Sequence, residues 1–193
     1  MTPFLFLRHG QSTANRDGVI AGSTDAALTE LGEAQAREAA IALAGAGIRR
    51  IVSSPQSRAL RTAEAVAESL GLPVATDPGL VERHWGAWEG RLVADRPDYF
   101  MVPEGGESWE VFRDRAWAAC EPILAAGPAP LLIVAHAGIM RVLRSRLGLG
   151  FEGKGVANAL PMRFTPPETA GLPWRVEPVT KLQPEPASTP AIV

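Results

Sequence analysis

The chain contains apolar runs that are too short for helices and too unbroken for strands with one wet face, at residues 4–7 and 131–134 above all. A run of this kind reads as a strand covered on both sides, and such strands belong to parallel sheets with helices packed above and below. The segments between the runs supply those helices. Thr29 can cap a helix over about 30–44, with Ala36, Ala39, Ala40 and Leu43 on its inner stripe and Glu30, Glu33 and Arg37 outside. Gly45 and Gly47 stop it. Arg50–Ser53 reads as a second strand, Ser54-Pro55 breaks it, and a helix follows over Ser57–Leu70, ended by Gly71. Val74–Thr76 is a weak third strand. A helix over about 108–125 presents Trp109, Phe112, Ala116, Ala119, Cys120 and Ile123 on one face, and another spans 139–147, closed by Gly148. Segments 160–164 and 174–179 are the last strand candidates. Strands alternating with helices predict an α/β three-layer sandwich, with a mostly parallel central sheet and helices on both faces.

The 193 residues suffice for one domain with a real core, placed at 1–179. A tail over 180–193, with Pro184, Pro186 and Pro190, has no strong apolar period and is expected to lie on the surface or be disordered. The net charge of −2 implies no broad basic face for nucleic acid, so any phosphate site must be a local one. The single cysteine, Cys120, excludes an internal disulfide framework and falls at a buried apolar position. The amino terminus lacks a basic region, and its apolar run stops at Leu7, which reads as a strand rather than a signal peptide or membrane span. A cytoplasmic enzyme is expected, with no membrane partner and with its oligomeric state left open, a homodimer included.

Two of only three histidines stand where apolar runs end, in Arg8-His9-Gly10 and in Ala135-His136-Ala137-Gly138. Ser53-Ser54 ends a third run. Ligands of open α/β sheets sit outside the carboxyl ends of the strands, so one crevice can collect all three. Phosphoryl transfer needs cations on the transferring oxygens, an in-line nucleophile and a proton for the leaving group. His9 can be the nucleophile, since neutral imidazole exists at pH 7, and a phosphohistidine would split one hard displacement into two. Gly10 would let the backbone approach the phosphate. Arg8 and Arg58 can present forks of donors to its oxygens, Arg58 from the start of a helix. His136 supplies a further donor, and the amide of Ala137 can add another. Glu82, just past Leu80-Val81, is the candidate general acid and base, a duty that calls for a raised pKa.

These residues lie within a longer pattern. Leu7-Arg8-His9-Gly10-Gln11-Ser12 with Asn15, Asp25 with Leu28-Thr29-Glu30-Leu31-Gly32, and Ser53-Ser54-Pro55 with Arg58 and Thr62 resemble the signature of the histidine phosphatase superfamily, the phosphoglycerate mutase-like family. Glu82 with Trp85-Gly86, Trp88-Glu89-Gly90, Gly106-Glu107-Ser108 and His136 extend the resemblance, in order, over roughly residues 4–164. The resemblance implies a phosphoglycerate mutase-like fold and a phosphohistidine at His9. It implies a phosphate pocket of Arg8, Arg58 and His136, Glu82 as proton donor, Asn15 in the pocket, and structural duties for Thr29 and Gly32. It implies no metal and no cofactor, and a small phosphomonoester as the partner molecule. Ala137 departs from the glycine common there.

The family holds both phosphatases and mutases. Glu82-Arg83-His84-Trp85-Gly86 resembles the mutases, in which an arginine and an aromatic grip the substrate, so Arg83 and Trp85 are expected to contact it. Trp88-Glu89-Gly90 followed soon by Gly105-Gly106-Glu107-Ser108 resembles the phosphatases. The mutases' longer insertion, with a lysine and paired arginines, has no counterpart here; Arg91 and Arg96 stand alone. A metal-independent phosphomonoesterase is the favoured reading. Mutase-type phosphotransfer and non-catalytic binding of a phospho-ligand are the alternatives. A zinc hydrolase using His9, His136 and Glu82 is disfavoured, because two arginines would repel the cation. Arg83 and Arg91 could hold a second anionic group, and His84 is divided between a surface role and the substrate entrance.

Overall fold

Six strands form one sheet in the computed structural model, which describes residues 1–96, 98–150, 155–169 and 171–179. They are β1 (Phe4–Arg8), β2 (Arg50–Ser53), β3 (Val74–Thr76), β4 (Leu131–Ala135), β5 (Pro161–Thr165) and β6 (Arg175–Pro178). Their order across the sheet is β3-β2-β4-β1-β5-β6. The first four run parallel, β5 is antiparallel to β1, and β6 is antiparallel to β5. The helices are α1 (Thr13–Asp17), α2 (Glu30–Leu43), α3 (Ser57–Leu70), α4 (Trp109–Ala125) and α5 (Ala137–Arg146). The expected sandwich with a mostly parallel sheet is the one observed. The tail expected over 180–193 lies outside the described residues.

Strand alternation sorts the core into two halves. Leu5 and Leu7 of β1, with Leu132 and Val134 of β4, pack against Ala39, Ala40 and Leu43 of α2 and Ala63 and Val66 of α3. Phe4, Phe6, Leu131 and Ile133 face the other way, onto Phe112, Ala116 and Cys120 of α4 and Ile139 and Leu143 of α5. This is why the runs are apolar without a break: each residue is covered on whichever side it points. Removing a side chain such as Leu132 from water contributes about 1.5–3 kcal/mol. Cys120 is buried in this core, and burial pushes its thiol up to about 12. No helix among the described residues is long and apolar enough to cross a membrane.

Register decides where the strand ends fall. Arg8 pairs with Ala135 and Ser53 with Val134, so β1, β4 and β2 finish side by side. The ladder continues one step beyond: the His9 amide donates to the Ala135 carbonyl at 3.0 Å, and the Ser54 amide to the Val134 carbonyl at 3.0 Å. His9, Ser54 and His136 therefore leave the sheet as neighbours.

The chain beyond His9 crosses the first turn of α2 at very close range. A Cβ on Gly10 would lie 2.4 Å from the Gly32 carbonyl oxygen, and one on Gly32 would lie 2.1 Å from the Gln11 carbonyl oxygen. Thr29 holds the crossing together by accepting from the Gly32 amide at 3.1 Å as the helix cap, while its own amide donates to the Gln11 carbonyl at 2.9 Å. The capping and close-packing duties expected of Thr29 and Gly32 are thus visible. The polar stretch after Gln11 holds α1, capped by a reciprocal Ser12–Asn15 box. Three short 3₁₀ turns, Pro78–Leu80, Gly86–Trp88 and Val93–Asp95, punctuate the long segment before α4.

Because both atoms met at the crossing are backbone, neither can swing aside. Gly32→Ala should cost about 1–3 kcal/mol in urea unfolding. A midpoint equal to that of the wild type would contradict the packing described.

Candidate active site

His9 is held by the backbone that follows it. Its Nδ1 lies 2.7 Å from the Gly10 carbonyl oxygen, which can only accept, so Nδ1 carries the proton and Nε2 keeps its lone pair. Burial, then the charges of Arg58 and Arg8, hold the ring well below the usual histidine pKa of 6.5, against the smaller opposite pull of the Gly10 bond. The result is a neutral imidazole whose free lone pair is fixed on Nε2.

His136 occupies the N-cap position of α5, and its ring centroid is 5.2 Å from that of His9. Its Nε2 stands 2.8 Å from the Ser54 hydroxyl, while its buried Nδ1 has no hydrogen-bond partner among the described residues. Burial first, then Arg58, His9 and Arg8, keep this ring neutral too.

The cations are fixed through carbonyl oxygens, leaving other N–H groups for a ligand. Arg58 is buried, and donates to the carbonyls of Thr24 at 3.0 Å and Gly22 at 2.8 Å. Arg8 donates from Nη1 to the Val156 carbonyl at 2.8 Å. Burial lowers both guanidinium pKa values, and the nearby Glu82 carboxylate opposes that. Glu82 is aimed from two sides, accepting from the Arg83 amide at 2.8 Å and from the Gly138 amide at 2.9 Å in the first turn of α5. A Cβ on Gly138 would sit 1.9 Å from Glu82 Oε1, so this approach requires glycine.

A cavity of about 140 Å³ lies between these groups, lined by Arg8, His9, Asn15, Arg58, Glu82, Trp85 and Ala137 among others. Seven residues expected at the site therefore face one cavity, and His136 stands beside His9. A wider groove of about 460 Å³ between α2 and α3 is walled by Ala40, Ile41, Ala44 and Ala65, and gathers no histidine.

Two expectations need correction. Arg83 does not face the cavity. It is fully buried, and its guanidinium donates to the carbonyls of Tyr99, Met101 and Glu107 while lying 4.4 Å over the Trp85 ring. Its charge is taken up by backbone dipoles and is closed to substrate. Gly10 is small for the crossing with Gly32 rather than for phosphate, and its amide donates to Thr62 Oγ1 at 3.1 Å. His84 is exposed and Arg91 stacks over Trp88, so neither lines the cavity.

Other residues build the site without having been singled out as part of it. Gln56 accepts from the Glu82 amide at 2.9 Å and donates to the carbonyls of Gly22 and Ser23. Glu89 accepts from the amides of Ser23, Thr24 and Trp85, and from the hydroxyls of Ser23 and Thr24. Burial would raise its pKa, but these bonds outweigh that and hold it below the usual carboxylate range. Asn158 donates to the His9 carbonyl at 2.9 Å and to Asn15 Oδ1 at 3.0 Å. Arg96 lines the cavity in the place expected of Arg83. Glu89 had a signal in the Trp88-Glu89-Gly90 motif; Arg96 and Asn158 sit in aperiodic chain and had none.

A model of the histidine phosphatase superfamily, branch 1, matches residues 4–158. The chain belongs to the histidine phosphatase superfamily. It is 34% identical over 163 residues to a glucosyl-3-phosphoglycerate phosphatase of Mycolicibacterium vanbaalenii, covering 74% of this chain and 72% of the relative. It is 32% identical over 165 residues to a probable phosphoglycerate mutase of Serratia proteamaculans, covering 77% and 76%. The solved mycobacterial glucosyl-3-phosphoglycerate phosphatase in complex with VO3 superposes with a TM-score of 0.80 at 30% identity, over 92% of this chain and 98% of that one. This histidine phosphatase is an enzyme of the phosphatase kind. Among its described residues, no three histidine, cysteine or acidic side chains come together as a metal site, and the zinc triad weighed from the sequence is not formed.

Two buried neutral histidines make stability depend on pH. The unfolded chain takes up protons near the ordinary histidine pKa that the native state refuses, so stability is full above that pKa and declines as the pH falls below it. Urea midpoints at about pH 7.5 and about pH 5.5, on either side of the reference value, should show the loss at the lower pH. NMR titration should show the rings of His9 and His136 still uncharged as the pH passes down through 6.5.

Proposed function

We propose that this phosphatase hydrolyses a small phosphomonoester, without a metal, through a phosphohistidine at His9. The observation that carries the reading is the Nδ1 bond to the Gly10 carbonyl, which leaves Nε2 of a neutral ring free beside Arg8 and Arg58. In the first step the Nε2 lone pair forms a bond to phosphorus, and the bond from phosphorus to the leaving oxygen breaks. Glu82 in its protonated form passes its proton to that oxygen. In the second step water attacks phosphorus while Glu82 takes a proton from it, the bond from phosphorus to Nε2 breaks with its electron pair returning to the ring, and orthophosphate leaves. Arg8, Arg58 and His136 hold the phosphoryl oxygens throughout, and their charge and dipoles match the negative charge spread over them in the transition state. Asn15 and the Ala137 amide complete the rim.

The leaving group would lie toward Trp85, Val93 and Arg96, which line the same cavity. The Arg96 guanidinium rests 5.4 Å over the Trp85 ring and 5.5 Å over the Tyr99 ring. A leaving group that bears a carboxylate suits this cation, which agrees with similarity to enzymes named for a phosphoglycerate ester.

The test is a panel of phosphomonoesters assayed with chelator present. We expect turnover that His9→Ala lowers by at least roughly 10³-fold, with an acid-labile, base-stable phosphoenzyme trapped only in the wild type. Activity that survives in His9→Ala would sink the mechanism; phosphate transfer to a bisphosphoglycerate-primed acceptor without net hydrolysis would mark a mutase. Arg96→Gln should raise KM about tenfold for carboxylate-bearing substrates, the worth of one charge-assisted hydrogen bond, and leave p-nitrophenyl phosphate unchanged.

A further inference from the structure

His136 offers the incoming anion either a donor or a lone pair, and which of these it offers depends on one proton. Because the ring is neutral, a single nitrogen carries hydrogen. With the proton on Nε2, the unpartnered Nδ1 would turn a lone pair toward a site built for negative charge. With the proton on Nδ1, it would turn a donor there.

The surroundings of Ser54 decide between the two. Its side chain is fully buried, so its hydroxyl must find partners within the protein. Its Oγ accepts from the Gln56 amide at 3.3 Å and stands 2.8 Å from His136 Nε2. The backbone amide cannot take the hydroxyl proton, because it is itself a donor. The hydroxyl proton can therefore go only to Nε2 among the partners present. That bond requires Nε2 to be the acceptor, and so leaves the ring proton on Nδ1. The opposite arrangement would strand the Ser54 proton with no acceptor and leave the anion facing a lone pair.

We infer that Ser54 is a positioning residue for phosphoryl transfer: through the Gln56 amide, its hydroxyl and His136 Nε2 it fixes His136 as the Nδ1–H tautomer, so that Nδ1 donates to a phosphoryl oxygen. The inference rests on the proposed phosphatase reading for its purpose, but its geometry stands independently of turnover. It gives the two histidines of the site matching protonation and opposite duties. Each carries its proton on Nδ1, His9 because the Gly10 carbonyl holds it there and His136 because the serine hydroxyl occupies Nε2. In His9 the bare nitrogen is the one that attacks. In His136 the bare nitrogen is taken by the serine, and the protonated one has no partner among the described residues. The turn after β2 thereby acts on the chemistry twice, since Gln56 also accepts from the Glu82 amide at 2.9 Å.

The experiment is long-range ¹H–¹⁵N NMR of the full chain labelled at histidine, with only three rings to assign. We expect His136 in the wild type to show a pyrrole-type Nδ1 and a pyridine-type Nε2, and the pattern to persist with inorganic phosphate added. Ser54→Ala should shift His136 toward the Nε2–H form and lower kcat/KM by about 10- to 100-fold, less than the roughly 10²–10³ that outright loss of an oxyanion donor costs. Ser54→Thr, which keeps the hydroxyl, should restore the wild-type spectrum. A wild-type spectrum with the His136 proton on Nε2 overturns the inference, whatever the variants do and whether or not the enzyme turns over. So does a folded Ser54→Ala protein whose His136 pattern and kcat/KM both match the wild type. Failure of the phosphatase reading would show separately, as absence of turnover and of phosphoenzyme with the His136 tautomer as described.

Discussion

Arg58 is withdrawn from water and Arg8 partly so, and among the described residues no carboxylate forms an ion pair with either. Their steadying partners are carbonyl oxygens, which supply dipoles but no countercharge, and Glu82 acts on them at longer range. Placing positive charge in a poorly solvated site is costly unless an anion completes it. The rest of the site follows from that imbalance. Burial first, and then these cations, keep both histidines neutral, which leaves one of them with a free lone pair and makes the proton position of the other matter. A phosphoryl group that enters meets fixed donors that need no rearrangement as charge develops.

Holding the cations in place falls to the irregular chain. The carbonyls of Gly22 and Thr24 that fix Arg58 belong to a loop that Glu89 clasps through two amides and two hydroxyls. Gln56 grips the same loop from the other side. The same Glu89 carboxylate takes the Trp85 amide, so the Arg58 side and the Trp85 side of the cavity are tied to one half-buried acid. The sheet contributes the alignment of strand ends, and this clasp sets their distance from the loop.

The strands and long helices were legible because their signals are periodic and local. Ser57–Leu70 runs between the bounds expected, and α2 ends within a residue of them, since Thr29 caps α2, Pro55 precedes α3, and Gly45 and Gly71 follow the two helices. The histidines could be placed because apolar runs end at them. α1 was missed because five residues carry no hydrophobic period. Arg83 was misjudged for a different reason. A charged residue beside Glu82 reads as a ligand for an anion, and only the fold shows that a later segment wraps its carbonyls around the guanidinium. Gly10 was correctly marked as a close approach, but what approaches is Gly32, which lies beyond the reach of any local pattern. Arg96 and Asn158 depend on aperiodic chain, where placement is settled by tertiary contacts alone.

The enclosure of Arg83 has a bearing on how such an enzyme can diversify. Its hydrogen bonds go to main-chain oxygens at positions 99, 101 and 107, and every amino acid provides that atom. Side chains along this strip can therefore be exchanged while the strip keeps its path over Trp85. Selection for a new ester could alter what backs Trp85, and the half of the cavity around Arg8 and Arg58 would be left as it stands.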